Sequence, residues 1–207
     1  MTYKIKEIFT SIQGEGLLVG KPMNFIRSSG CNLRCRWCDT NHVGGEEKTI
    51  KQIIDELDER IIWVALTGGE PMMQANLIKL IKSLKPEGYS ILLETNGTLY
   101  DKKIFDSCDY ISADLKGPSS GNPGHEDNVI KYCLSHPNKT QLKIVLADKK
   151  DLCYYKTIYI RYPHWVLQPE SSVLDKIDYI RWMDELTADM LADTRIIPQT
   201  HKIMKIK

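Results

Sequence analysis

Cys31, Cys35 and Cys38 lie in the run Gly30-Cys-Asn-Leu-Arg-Cys-Arg-Trp-Cys-Asp39, and no fourth cysteine is close enough to complete a local set. Thiolates in a Cys-x3-Cys-x2-Cys pattern can converge on a compact cationic cluster. Three ligands on a four-cornered iron–sulfur core leave one metal position open for chemistry, whereas a closed structural site normally has four. Zinc is the alternative, with His42 as a fourth ligand. Cys108, Cys133 and Cys153 are scattered, which fits buried or partly buried thiols in a reducing compartment better than a disulfide framework.

Other chemistry-bearing residues stand beside turn signals. Gly68-Gly69-Glu70-Pro71, Thr95-Asn96-Gly97, Asp114 to Lys116 and Gln168-Pro169-Glu170 each follow a short apolar run. Each also has a structural reading: glycines permit tight turns and close backbone approach, and proline suits the first turn of a helix. Gly14-Glu15-Gly16 and His201, taken singly, read as an ordinary loop and a surface histidine.

The elements that must position these residues alternate between strand and helix. Strand patterns fall at Ile5 to Ser11, Met23 to Arg27, Ile61 to Thr67, Tyr89 to Thr95, Tyr110 to Asp114, Gln141 to Ala147 and Trp165 to Gln168. Between them, Ile50, Ile53, Ile54 and Leu57 form one helical stripe, with an N-cap near Thr49, and Leu77, Ile78, Ile81 and Leu84 form another. A third helix is expected to carry Leu174, Ile177, Ile180, Met183 and Leu186 into the core, starting near Ser171 or Ser172. Such repeats favour an α/β fold with a parallel sheet and outer helices. With 207 residues the chain is shorter than the roughly 250 of a complete eightfold barrel. The expectation is an incomplete, open TIM-like barrel of about six βα units, with function gathered at the carboxyl ends of the strands.

Residues 1–207 suit a single domain. The formal charge of +1, from 28 basic and 27 acidic residues, provides no broad field for a phosphate backbone or an anionic membrane. No apolar run has signal-peptide or membrane-spanning form, so a cytoplasmic protein without direct nucleic-acid or membrane contact is expected.

The cysteine loop after an early strand, followed by Gly-Gly-Glu-Pro after the next, resembles the radical S-adenosylmethionine enzymes. That resemblance implies a 4Fe-4S cluster on Cys31, Cys35 and Cys38. The open iron would be chelated by the amino and carboxylate groups of S-adenosylmethionine, and one electron would release a 5′-deoxyadenosyl radical. More narrowly, Ile12-Gln13-Gly14-Glu15-Gly16, Arg27, Cys38-Asp39-Thr40, Glu94-Thr95-Asn96-Gly97, Pro118-Ser119-Ser120-Gly121 and Gln199-Thr-His-Lys202 together resemble the 7-carboxy-7-deazaguanine synthase family. That family contracts 6-carboxy-5,6,7,8-tetrahydropterin with loss of ammonia, on the route to queuosine and archaeosine. A glycyl-radical-activating enzyme, acting on a protein, is a second reading of the cysteine loop.

By resemblance, the cofactor contacts would be Trp37, Cys38, Asp39, Gly68, Gly69, Glu70, Gly97, Ser112, Asp114, Lys116, Gln168, Pro169 and Glu170. The substrate contacts would be Ile12, Gln13, Gly14, Glu15, Arg27, Thr95, His201 and Lys207, with Mg2+ on the Thr40 hydroxyl. These types suit a pterin, whose amide-like edge can pair with Gln13 and neighbouring backbone and whose carboxylate suits a planar guanidinium. The resemblance also implies a flavodoxin- or ferredoxin-type electron donor and a homodimer. The chain departs from the family pattern at Asp114-Leu115-Lys116, where Ser-Pro-Lys is usual, and at Lys205, where glycine is frequent.

Overall fold

The computed structural model describes residues 1–207. The chain begins with β1 (Thr2–Ile12), β2 (Pro22–Ser28) and β3 (Glu46–Thr49), then alternates through α1 (Ile50–Asp55), β4 (Trp63–Gly68), α2 (Leu77–Leu84), β5 (Ser90–Thr95) and α3 (Lys102–Ser107). It continues with β6 (Tyr110–Asp114), α4 (Asp127–Ser135), β7 (Thr140–Leu146), α5 (Lys149–Ile158) and β8 (Trp165–Pro169). The last elements are α6 (Tyr179–Met183), α7 (Ala188–Asp193), β9 (Thr194–Ile196) and α8 (Thr200–Met204).

All nine strands form one sheet in the order β3-β1-β2-β4-β5-β6-β7-β8-β9. From β2 to β9 every pairing is parallel, while β1 runs antiparallel to both β2 and β3. The order starts at β3 and stops at β9 without closing, so the barrel is open, as expected.

Residues on each parallel strand alternate between two packed faces. Val64, Ile91, Ile111 and Ile144 meet Leu80, Ile81, Phe105 and Leu152 of the outer helices in the main core. On the opposite face Met23, Phe25, Ala65 and Leu92 make a smaller apolar patch. Two residues further along, that inner face turns polar at Arg27, Thr67 and Glu94, then at Ser112, Asp114, Lys143 and Gln168.

The first two helical stripes are core, and Thr49 caps α1 through a reciprocal bond with Gln52. The third is not. Residues 174–186 hold only the five-residue α6, with Ile180 73% and Met183 36% exposed. The Asp178 carboxylate accepts from the Arg181 amide (3.0 Å) and starts a new helix there, interrupting the continuous stripe. Two strands lay outside the sequence pattern. β3 is a polar edge strand of Glu-Glu-Lys-Thr with no apolar alternation, and β9 has only three residues.

Candidate active site

The cysteine loop leaves β2 and carries no strand or helix until β3 begins at Glu46. Three hydrogen bonds tie it to the Pro118–Ser120 turn and to Asn96. Arg36 N donates to Ser120 O (2.9 Å), Trp37 Nε1 to Ser119 Oγ (2.9 Å), and Asn96 Nδ2 to Asn32 Oδ1 (2.8 Å). Gly68 and Gly69 make the fourth attachment. Gly69 N and Glu70 N donate to Ser28 O and Gly30 O (3.0 and 2.8 Å), which extends the β2–β4 pairing into the loop. Gly68 has φ +121° and lies against Ser28, and a Cβ on Gly69 would stand 1.7 Å from Gly30 O, so only glycine permits this approach.

The three thiols are free and open onto a cavity of about 490 Å3 at the carboxyl ends of the strands. That volume is of the size that takes a cofactor and a small substrate together. At the far end of the cavity lies the β1–β2 connection. Gln13 is 3% exposed; its Nε2 donates to Glu94 Oε1 (2.8 Å) and its Oε1 accepts from Glu15 N (3.0 Å). The Glu15 carboxylate pairs with Lys143 Nζ and accepts from Gln199 Nε2 (2.7 Å). Gly14 O accepts from Thr200 N (2.9 Å), and the His201 ring packs so closely on Gly14 that any Cβ there would collide with it.

The charges at this end are strongly coupled. Burial pushes the Glu15 carboxyl up, but Lys143 and the hydrogen bonds outweigh it and hold the group well below the usual carboxylate range. Glu94 moves the other way, raised by burial and by the negative charge of Glu15. Lys143, also facing Asp114 Oδ2 at 3.4 Å, is kept protonated against burial by its acidic neighbours. Burial lowers the His201 imidazole, opposed in part by Glu15.

Most of the expected site residues line this cavity, including Ile12, Gln13, Gly14, Glu15, Arg27 and Thr95 of the substrate set. His201, Lys207 and Thr40 line it too, as do Trp37, Cys38, Asp39, Gly68, Gly69, Ser112, Asp114, Lys116, Gln168 and Glu170. Three do not. Glu70 is fully buried and accepts from Thr95 Oγ1 (2.9 Å), Asn96 N (2.7 Å) and Met72 N (3.0 Å), so its carboxylate holds two strand-end loops together rather than facing a ligand. Gly97 O is taken by Glu126 N (2.7 Å), and Pro169 is buried within β8. Arg27 does face the cavity, fixed by Glu7 (Nε–Oε1 2.8 Å) and donating to Thr40 Oγ1 (3.1 Å). Lys205 has φ 55°, ψ 40°, the left-handed conformation that glycine takes freely, so the tail follows the turn a glycine would allow.

Glu94, Lys143, Gln199 and Asn96 are wall residues outside the expected set. Period-two counting marks the first two, since Glu94 shares the inner face with Leu92 and Lys143 shares it with Gln141 and Val145.

An open parallel sheet with a three-cysteine loop at its carboxyl edge defines the class. Residues 25–144 match the Radical SAM superfamily, to which the chain belongs. Within it the chain belongs to the 7-carboxy-7-deazaguanine synthase family. It is 35% identical to that synthase of Thermoplasma acidophilum, covering 97% of this chain and 96% of the relative. With that of Aquifex aeolicus it shares 33% identity, covering 98% and 94%. The crystal structure of QueE from Escherichia coli has the same fold, with a TM-score of 0.72 at 22% identity over 97% of this chain and 95% of that one. This membership sets aside the zinc-module and protein-activating readings.

The superfamily implies a 4Fe-4S cluster and S-adenosylmethionine, and the residues fit both. Three free thiols on one loop are the soft donor set such a cluster takes. Asp114 Oδ1 and Gln168 Oε1 are buried acceptors on the cavity wall with no protein partner, suited to the hydroxyl and ammonium donors of a polar cofactor.

Proposed function

We infer that the chain converts 6-carboxy-5,6,7,8-tetrahydropterin to 7-carboxy-7-deazaguanine with loss of ammonia, acting as one catalytic domain over residues 1–207. The observation that carries this reading is the single cavity joining the three thiols to the Gln13, Arg27 and His201 cluster. When bound through Cys31, Cys35 and Cys38, the cluster and S-adenosylmethionine supply a carbon radical able to remove hydrogen from the substrate.

The chain's own residues do the rest. Arg27, aimed by Glu7 and backed by the Phe9 ring 5.4 Å away, offers its guanidinium to the substrate carboxylate. Glu15, held ionised by Lys143, accepts from the N–H edge of the pterin. Loss of ammonia requires a proton delivered to nitrogen, and Glu94 is the wall carboxyl that burial and Glu15 push toward its protonated form. His201, packed on Gly14, closes the cavity from the tail. Thr40 Oγ1, which accepts from Arg27 and donates to Asp39 Oδ1 (3.1 and 3.3 Å), would offer its oxygen to Mg2+ together with substrate oxygens and water.

A one-electron donor of flavodoxin or ferredoxin type would approach on the side of Cys38, which is exposed. A second copy of the chain as dimer partner rests on the family resemblance. No helix is long and apolar enough to cross a membrane.

Incubating the anaerobically reconstituted protein with the carboxytetrahydropterin, S-adenosylmethionine, Mg2+ and a reductant should generate the 7-deazaguanine chromophore. A cluster-loaded protein that makes no such product would reject the assignment.

A further inference from the structure

Lys116 and Asp114 are opposite charges built in beside the cysteine loop. Lys116 Nζ lies 4.9 Å from the ring centroid of Trp37, the residue directly before Cys38. Trp37 is itself pinned to Ser119, on the same strand-end loop as Lys116. Asp114 Oδ2 holds that ammonium at 2.9 Å, and the same oxygen stands 3.4 Å from Lys143 Nζ. The two side chains are only 10% and 15% exposed, so bulk water screens them far less than a surface pair. Asp114, Lys116 and the three thiols line one and the same cavity.

A cluster on three thiolates gains one negative charge when it accepts an electron, so fixed charges beside it bias that step. We propose that Lys116 and Asp114 set the reduction potential of the cluster as opposed charges, Lys116 favouring the reduced state and Asp114 the oxidised one. The inference rests on the reading that Cys31, Cys35 and Cys38 hold a 4Fe-4S cluster. It gives the pair a role that does not depend on substrate. Packing alone would not make the two residues act with opposite sign.

The test is a mediator-equilibrated redox titration of the reconstituted protein without S-adenosylmethionine, followed by the electron paramagnetic resonance of the reduced cluster. Lys116→Met should lower the midpoint potential, Asp114→Asn should raise it, and the double variant should fall between them. Shifts of the same sign, or no shift in either variant, overturn the proposal. Should Lys116→Met fail to retain its cluster, the near-isosteric Asp114→Asn decides alone, and an unchanged or lower potential counts against the proposal. Iron and sulfide content separates the two levels. A wild-type protein that binds no cluster removes the underlying reading, whereas a full cluster with unmoved potentials removes only this inference.

Discussion

At the Gln13 end of the cavity the polar side chains are bonded to one another. Gln13 is joined to Glu94, and Glu15 to Lys143 and Gln199, with the tail pinned at Gly14 O. At the cysteine end the three thiols form no disulfide and make only long contacts, the shortest from Leu33 N to Cys31 Sγ (3.4 Å) and from Cys38 Sγ to Thr40 O (3.5 Å), and the loop that carries them has no regular structure of its own. The Gln13 end, the proposed recognition end, is thus preorganised by protein contacts alone, which lowers the ordering cost of binding a rigid bicyclic substrate. The cysteine loop is anchored at Gly30, Asn32, Arg36 and Trp37 and leaves its thiols to the cofactor.

The largest effect should come from the cysteine end. Cys35→Ala should reduce cluster content and product formation to background, while the exposed Cys153→Ala should leave both unchanged, as read by iron, sulfide and product assays. At the bonded end, Lys143→Met strips the cation from Glu15 and Asp114 in a site where Lys143 is 7% exposed. The expected loss is about 3–5 kcal/mol in urea unfolding, the usual cost of removing one partner from a buried charge cluster. A loss below about 1 kcal/mol would mean that this end is not held by its charges.

A smaller effect concerns pH. His201 has a folded pKa below its ordinary value of about 6.5, so its contribution is complete above that value and is lost as pH falls toward the folded pKa. Hydrogen exchange at the Thr200 and Ile206 amides should therefore accelerate as pH drops from 7.5 to 5.5, after correction for intrinsic rates. His201→Gln should flatten that dependence. Smallest of all should be Lys202→Met. The Lys202–Asp39 pair, 2.7 Å apart, is 38% and 48% exposed, and its loss should change thermal stability by less than about 1 kcal/mol.

The cysteine spacing and the glycine turns are local signals, so the strand-end loops and the open barrel were legible in the sequence. What was hidden depended on tertiary partners. Glu70 reads as a ligand carboxylate until Thr95, Asn96 and Met72 are seen to donate to it in a fully buried position. Lys143 reads as one polar residue in a buried strand, and its meaning comes from Glu15, 128 positions away in sequence. β3 has no apolar alternation to reveal it, because an edge strand exposes both faces. The stripe from Leu174 to Leu186 misled because Asp178 supplies a competing helix start in its midst.

The contrast between the two ends is tested most directly by hydrogen exchange of the protein before and after anaerobic cluster reconstitution. Preorganisation of the proposed recognition end predicts that protection rises at the cysteine-loop amides that have no partner, such as Cys31, Asn32, Cys35 and Trp37, and stays unchanged at Gly20 and Thr200, whose amides are already bonded to Gln13 O and Gly14 O. Equal or larger gains at Gly20 and Thr200 would contradict it, because the recognition end would then depend on the cofactor for its order.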